Sequence, residues 1–299
     1  MKNFIMNITA LIQKKLGDDY NVFAREVTKN NGVILHGLII NRSNDPISPT
    51  IYLESLYKAY IEGTELDFIA DRIIKLYQEK RYEFIFKPES FTDFNLAKKN
   101  IVFEIINTEK NKSLLQDVPN IPFLDLSIIF KVHLQIPQCK NAFITIHNSH
   151  LKIWNVSIDE LKTLAFINTQ KLFPARIDTM ENILREMFLQ EPVEESFGNS
   201  QMYVLSNTEK LHGSSCIIYP NILENFANEI GTNFYILPSS VHETILLPDY
   251  GNTDKSALYE MVKEINHTEV EPEEILSDSV YYFSRENQKI DFACKEELV

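Results

Sequence analysis

Side chains that could act as nucleophiles, acids or bases gather in two short segments of this sequence. The first, HGSSC, runs from His212 to Cys216, and the second, LPSSVHE, runs from Leu237 to Glu243. A serine nucleophile needs a base within hydrogen-bonding distance and donors for an oxyanion. The two segments therefore hold the residue types of a hydrolase, although the G-x-S-x-G signature of common hydrolases does not occur.

The connection between the two segments predicts that they lie close together. An apolar strand ending at Pro220, a short helix closed by Gly231 and a second apolar strand lie between them. Strands joined in this way are often neighbours in a sheet, and loops held by such a scaffold commonly bind ligands. We expect a polar patch that consists of His212, Ser214, Ser215, Ser239, Ser240, His242 and Glu243.

A structural interpretation of the same residues is also open. Glycine, proline and serine are turn residues, and serine hydroxyls often satisfy backbone groups. Cys216 would then be a small buried side chain, as free cysteines commonly are, instead of a nucleophile.

Metal and cofactor sites have little support in the sequence. His147 and His150 are spaced so that, on the strand predicted there, they project from opposite faces. No H-E-x-x-H, G-x-G-x-x-G or phosphate-binding loop motif occurs. We therefore expect no metal and no cofactor.

Charge and hydrophobic content exclude some classes of protein. The 299 residues are 44% hydrophobic, which is ample for a packed core. The net charge is −13, and residues 241–299 carry 14 Asp or Glu against 5 Lys or Arg, a net of −9. Direct binding of nucleic acid is not expected, because it requires a basic surface. This distribution is typical of a solubilising region, or of an acidic face for a basic protein partner.

Cysteine usage and hydropathy predict a cytoplasmic protein. Cys139, Cys216 and Cys294 are far apart and form no C-x-x-C motif, which favours reduced thiols. The N-terminal sequence has no signal-peptide pattern, and no apolar run approaches the roughly 20 residues of a membrane span.

Hydrophobic periodicity mixes helices and strands without strict alternation. Helical spacing of apolar residues begins at Phe4 and ends before Gly17, and Asn31-Gly32 predicts a hairpin. Helices are further predicted at 51–62, 64–77, 157–173, 179–190 and 255–265, with a mostly helical stretch at 91–118. Strands are predicted at 129–136, 141–154, 217–220, 235–238 and 279–286, with a hairpin turn at Pro137.

This pattern predicts an α+β fold with a mostly antiparallel sheet flanked by helices. The chain is expected to form one unit or two tightly packed lobes, residues 1–136 and residues 137–299. The hairpin predicted across Pro137 argues against a clean boundary there.

Several motifs together resemble a known family. They are KNNGVILHGLII, PTIYLE, NTEKNKSLL, FLDLSIIF, LHGSS and LPSSVHETILLPD, which spread over nearly the whole chain. The chain resembles an uncharacterised Firmicutes family, a domain of unknown function of the 5688 type that often occurs on mobile elements. The resemblance brings no catalytic residues, and it implies an accessory protein. We expect a non-enzymatic binding or regulatory protein that acts through contacts with another protein; the alternative is a hydrolase with a serine or cysteine nucleophile.

Overall fold

The computed structural model describes residues 1–42, 48–80, 89–134, 142–187, 202–238 and 240–294. The chain divides into two compact units, Met1–Ser90 and Phe91–Val299. Both units combine helices with antiparallel strands, so the predicted α+β class is confirmed. The division falls at residue 90, whereas the possible boundary considered from the sequence was near residue 136. The chain is not divided near residue 136, because β-strands on either side of that residue pair with each other.

The first unit is built around a small antiparallel sheet. Its elements are α1 (Lys2–Leu16), β1 (Tyr20–Thr28), β2 (Ile34–Arg42), β3 (Thr50–Tyr52), α2 (Glu54–Ile61) and α3 (Leu66–Lys80). The strand order is β1-β2-β3, and the hairpin predicted at Asn31-Gly32 is confirmed. Asn31 and Gly32 have φ of 60° and 69°, a conformation that these two residue types tolerate. The core of the unit includes Phe4, Ile8 and Ile12, one face of α1.

The elements from residue 89 onward are α4 (Glu89–Thr92), α5 (Phe94–Ala97), β4 (Ile101–Asn107), α6 (Lys112–Leu115), β5 (Asn120–Phe123), β6 (Leu126–His133), β7 (Phe143–Thr145), α7 (Asn148–Trp154), α8 (Ile158–Leu172), β8 (Ala175–Thr179), α9 (Met180–Met187), β9 (Tyr203–Asn207), α10 (Ile222–Ile230), β10 (Phe234–Leu237), β11 (Thr244–Pro248), α11 (Lys255–Thr268), β12 (Val280–Ser284) and β13 (Lys289–Cys294).

Two antiparallel sheets organise the second unit. One has the strand order β13-β12-β10-β11-β9-β8. The other has the order β4-β6-β5, with β7 also paired to β6. Apolar side chains of both sheets share one core, which includes Phe130 of β6 and Phe234 of β10. Helix α11 packs on a second cluster with Tyr235 and Val262.

The prediction of a mostly helical stretch at 91–118 is wrong for Ile101–Asn107, which form strand β4. Every position of β4 is buried, and the strand pairs along its whole length with β6. On its other edge, the Phe103 N–H donates to Thr169 Oγ1 (3.0 Å) and the Ile105 N–H donates to Ser215 Oγ (3.2 Å). The strand forms because tertiary pairing and these hydroxyl contacts satisfy its backbone, which local periodicity does not reveal.

Two further predictions of strand are wrong in part. The strand predicted at 141–154 ends at Thr145, and helix α7 follows, with His147 at its N-cap. The segment predicted as a strand at 217–220 is not one, because Gly213–Ile218 forms a 3₁₀ helix. The hairpin turn predicted at Pro137 and the residues after Met187 in the predicted helix lie outside the described residues.

Candidate functional site

The structure brings the HGSSC and LPSSVHE segments into direct contact. The Ser214 hydroxyl donates to the carbonyl of Ser240 (2.5 Å), and the Ser214 N–H donates to the carbonyl of Val241 (3.2 Å). The His212 N–H donates to His242 Nδ1 at 3.3 Å, and the two imidazole rings lie 5.6 Å apart. The two histidines of the expected patch are therefore neighbours.

The described serines of the patch are engaged in backbone and hydroxyl contacts. Ser214 and Ser215 are buried, at 0% and 2% exposure. The Ser214 hydroxyl also accepts from Thr244 Oγ1 (2.9 Å), and the Ser240 hydroxyl accepts from the His242 backbone N–H (3.0 Å). Ser239 lies outside the described residues. The hydroxyl contacts of Ser214, Ser215 and Ser240 are those of a packed turn, and none of them involves an imidazole nitrogen.

Cys216 is held away from nucleophilic chemistry by burial. Its side chain is fully buried, and the thiol donates to the carbonyl of Ser206 at 3.3 Å. Burial raises the pKa of the Cys216 thiol to about 12. Because the thiolate is the reactive form, this environment is that of a structural cysteine.

Close packing at Gly213 fixes the position of His212. A Cβ at residue 213 would lie 2.2 Å from Ser206 Oγ and 2.4 Å from the carbonyl oxygen of His242. Upstream, the side chain of Asn207 accepts from the Leu211 N–H (3.2 Å) and donates to the Leu211 carbonyl (2.7 Å). The loop between these anchors holds His212 at φ 51°, in the left-handed region that L residues rarely adopt.

A buried carboxylate that the sequence analysis missed lies beside His212. The Glu104 side chain in β4 is 7% exposed, and its Oε1 lies 2.5 Å from Lys131 Nζ. Its Oε2 lies 3.2 Å from His212 Nδ1. The two atoms are within ion-pair distance, but Oε2 accepts no well-formed hydrogen bond from the described residues. Such an incompletely satisfied buried charge is uncommon and is typical of functional sites.

Strand pairing explains why Glu104 and Lys131 meet. Val102 lies opposite Lys131, so Glu104, two residues further along β4, is the diagonal neighbour of Lys131 on the same face. One signal in the sequence could have found this pair. Each is a lone charged residue in an apolar run, IVFEIIN for β4 and LSIIFKVH for β6.

Burial and neighbouring charges set the protonation of the site. Burial alone would raise the pKa of Glu104, but His212, which is protonated at the low pH where Glu104 titrates, and Lys131 outweigh it and hold that pKa below its ordinary value. Burial lowers the pKa of His212, and the opposing effect of Glu104 is smaller. An ionised Glu104 therefore faces a neutral imidazole at pH 7.

Glu104, Lys131 and His212 border a narrow recess, which we call the Glu104 recess. Its cavity volume is about 10 Å³, close to the smallest space that holds one water molecule. Its walls are mainly apolar or aromatic and are formed by Val102, Phe103, Phe143, Phe173, Leu211 and Tyr219, together with Thr169 and Asn207. A ligand larger than a single polar atom would need an outward movement of these walls.

The carboxylate beside His242 is not the one that the sequence indicated. Glu243 is exposed, whereas Glu274 Oε1 lies 3.5 Å from His242 Nε2. Elsewhere in the unit, His147 Nδ1 lies 2.8 Å from Asp117 Oδ2, and both histidines of the IHNSHL motif belong to the start of α7. Within the described residues no cluster of three or more His, Cys, Asp or Glu is arranged to hold a metal ion.

Among the residues that the structure describes, no helix combines the length and the apolar character that crossing a membrane requires.

Comparison with known proteins identifies one family. No curated protein and no solved structure matches the chain significantly. A family model matches residues 1–285, which is most of the chain. The chain therefore belongs to the family of unknown function DUF5688.

Proposed function

We propose that this chain is a non-enzymatic binding protein that contacts another protein at the Glu104 recess. The observation that carries the proposal is the buried carboxylate of Glu104, whose Oε2 accepts no hydrogen bond from the described residues. A buried charge left partly unsatisfied lowers stability. A binding partner that supplies the missing donor would offset this cost in the complex.

The surroundings of the recess also support binding. His212 lines the recess and His242 lies beside His212, and both are partly exposed, with side-chain exposures of 28% and 31%. The net charge of −13 favours a partner with a basic surface, because complementary charge accelerates association. If the chain is of bacterial mobile-element origin, as its motifs imply, the partner belongs to the element or to its host.

A second candidate function is general-base catalysis by Glu104 and His212. A carboxylate beside Nδ1 of a neutral imidazole is the arrangement that orients the base in serine hydrolases. The described serines are committed to other contacts, so a hydrolase built here would use water as its nucleophile. Binding is favoured over catalysis because the recess is closed to a substrate of ordinary size.

Affinity capture from the source cells tests the proposal. Wild-type protein and Glu243→Gln, a control with the same substitution at an exposed position, should capture equal amounts of the same partner. Glu104→Gln should capture at least tenfold less of it. Equal capture by all three proteins would contradict the proposed site.

Catalysis is tested on the same proteins with p-nitrophenyl acetate and a fluorophosphonate probe. Turnover of the ester that disappears in His212→Ala and Glu104→Gln would favour the second candidate. Rapid stoichiometric labelling of one serine would also contradict the binding proposal.

A further inference from the structure

The polar groups around the Glu104 recess define what it can hold. Glu104 Oε2 is an acceptor without a well-formed hydrogen bond. Lys131 Nζ carries three N–H donors, and Glu104 Oε1 lies 2.5 Å from it. The recess thus presents an acceptor and a donor to the same small space, so an occupant that satisfies both must donate and accept.

The charges of Glu104 and Lys131 disfavour a charged ligand group in the recess. An ammonium group in the recess would be close to the Lys131 ammonium, and a carboxylate would be close to Glu104. Like charges at such distances are unfavourable, above all where water is scarce. Glu104 and Lys131 already balance each other, so the preferred occupant is neutral.

Size narrows the choice further. A cavity volume of about 10 Å³ accommodates one oxygen or nitrogen atom with its hydrogens. The neutral group that both donates and accepts through a single heavy atom is a hydroxyl. A short carbon stem behind that oxygen would enter only with an outward movement of the walls, and it would then pack against apolar and aromatic side chains such as Phe143 and Phe173.

We propose that the Glu104 recess binds a single hydroxyl group of its ligand, which donates a hydrogen bond to Glu104 Oε2 and accepts one from Lys131 Nζ. The inference rests on the proposed binding function and specifies the chemistry that the partner must present. Both water and an alcohol, including a hydroxyl side chain of a protein partner, carry this group. Water and an alcohol are distinguished by adding an alcohol and observing whether it replaces the water in the recess.

The test uses three small probes of similar size on the full-length protein. Ethanol, ethylammonium and acetate are titrated separately at constant ionic strength, and the imidazole signals of His212 are followed by nuclear magnetic resonance. We expect a saturable shift with ethanol and at most a tenth of that shift with either ion. A stronger response to ethylammonium or acetate would overturn the proposal.

Matched variants assign the response to the recess. Glu243→Gln and Lys110→Met, both exposed positions, should respond to ethanol as wild type does. Glu104→Gln and Lys131→Met should lose the saturable shift. If Glu104→Gln does not fold, the double variant Glu104→Gln/Lys131→Met replaces it, with the same loss expected. A response to ethanol that survives these substitutions would contradict the site.

A crystal structure grown with ethanol separates the two sources. An ethanol oxygen between Glu104 and Lys131 supports the proposal, and a water molecule that ethanol does not displace overturns it. If ethanol fails but partner capture still depends on Glu104, only the hydroxyl assignment is wrong. If ethanol binds but capture does not depend on Glu104, the hydroxyl site stands and the proposed protein contact is wrong.

Discussion

At the scale of single residues, Glu104, Lys131 and His212 form a cluster of ionisable side chains in mainly apolar surroundings. The Lys131 side chain is 18% exposed, so the pair with Glu104 is only partly screened by water. Buried ion pairs contribute little net stability, whereas removal of one partner is costly, because it leaves the other charge uncompensated. A gain in stability alone therefore does not explain the presence of this pair in the core of a sheet.

A double-mutant cycle tests this account of the pair. Glu104→Leu alone should lower the free energy of unfolding by about 3 kcal/mol, since Lys131 is left without its carboxylate. The double variant Glu104→Leu/Lys131→Met should recover most of that loss, to within about 1 kcal/mol of wild type. Denaturation by urea measures all four proteins of the cycle. A double variant less stable than Glu104→Leu would show that the pair is essential to the fold.

The protonation of His212 predicts how stability depends on pH. Its pKa in the folded protein is below the ordinary value, mainly because of burial. Near pH 6.5 and below, the unfolded chain therefore binds a proton at His212 more readily than the folded protein does, which lowers the free energy of unfolding. The contribution of His212 to stability is complete above pH 6.5 and is lost as the pH falls toward the folded pKa. The pKa of His150 is lowered as well, again mainly by burial, and acts in the same direction.

When the pH falls from 7 to 5, the free energy of unfolding of His212→Asn should therefore decrease less than that of wild type. Asparagine is the chosen replacement because it tolerates the positive φ of residue 212. Thermal melts at a series of pH values measure the difference. His267→Asn, at an exposed position on α11, is the control and should keep the wild-type dependence. A steeper dependence in His212→Asn would contradict the assignment.

At the residue scale, the sequence indicates part of the site. His212 and His242 could be identified because they flank recognisable turn residues. Glu104 and Lys131 could not, because the charged residues lie 27 positions apart in the chain and meet through the register of β4 and β6. Ser214 and Ser215 were expected in a polar patch, but the same hydroxyls that suit a site also suit the inner surface of a turn.

At the scale of elements, the 3₁₀ helix Gly213–Ile218 connects the two sheets of the second unit. Its Ser215 hydroxyl accepts from the backbone of β4, and its first residues bind the segment before β11. Gly213 lies at the point of closest approach, with Ser206 and His242 on either side. The position of His212 beside Glu104 thus depends on the absence of a side chain at residue 213.

Gly213→Ala should lower the free energy of unfolding by about 3 kcal/mol, or prevent folding, because its Cβ would collide with backbone and with Ser206. Gly251→Ala is the matched control. At Gly251 no atom lies within 4 Å of the added Cβ, so only the positive φ of 87° opposes the substitution, at about 1 kcal/mol. Chemical denaturation compares the two variants. Equal effects would contradict the close packing at Gly213.

Elements were predictable from the sequence where local signals determine them. The hairpin at Asn31-Gly32 depends on turn chemistry, and helix α8 on a cap in which Ser157 accepts from the Glu160 N–H. Strand β4 depends on partners distant in the chain, so its short apolar run was indistinguishable from a buried helical segment. Helix α7 was missed because its start is capped by His147, a residue that is unusual at that position.

At the scale of the whole molecule, the two units have separate cores. The core of Met1–Ser90 draws on its own helices and sheet, and the core of Phe91–Val299 draws on both of its sheets. A division near residue 136 would separate β6 from β7 and remove β4 and β6 from the second core. The sequence indicated this conflict through the predicted hairpin but gave no sign of a boundary at residue 90.

Separate expression tests this division. Residues 91–299 should fold cooperatively, with a single thermal transition and a near-ultraviolet circular dichroism signal. The fragment 137–299 should show neither, because the core loses three of its strands, β4, β5 and β6. Cooperative folding of 137–299 but not of 91–299 would contradict the structure and restore the boundary near residue 136.

The central claim is that the Glu104 recess holds an ionised Glu104 beside a neutral His212. Nitrogen-15 spectra of the His212 imidazole between pH 4 and pH 8 test it most directly, because they report the charge of the ring. We predict a neutral ring at pH 7, and a pKa of His212 that falls further in Glu104→Gln, because the raising effect of the carboxylate is then lost. A protonated imidazole at pH 7, or a His212 pKa that does not change in Glu104→Gln, would contradict it.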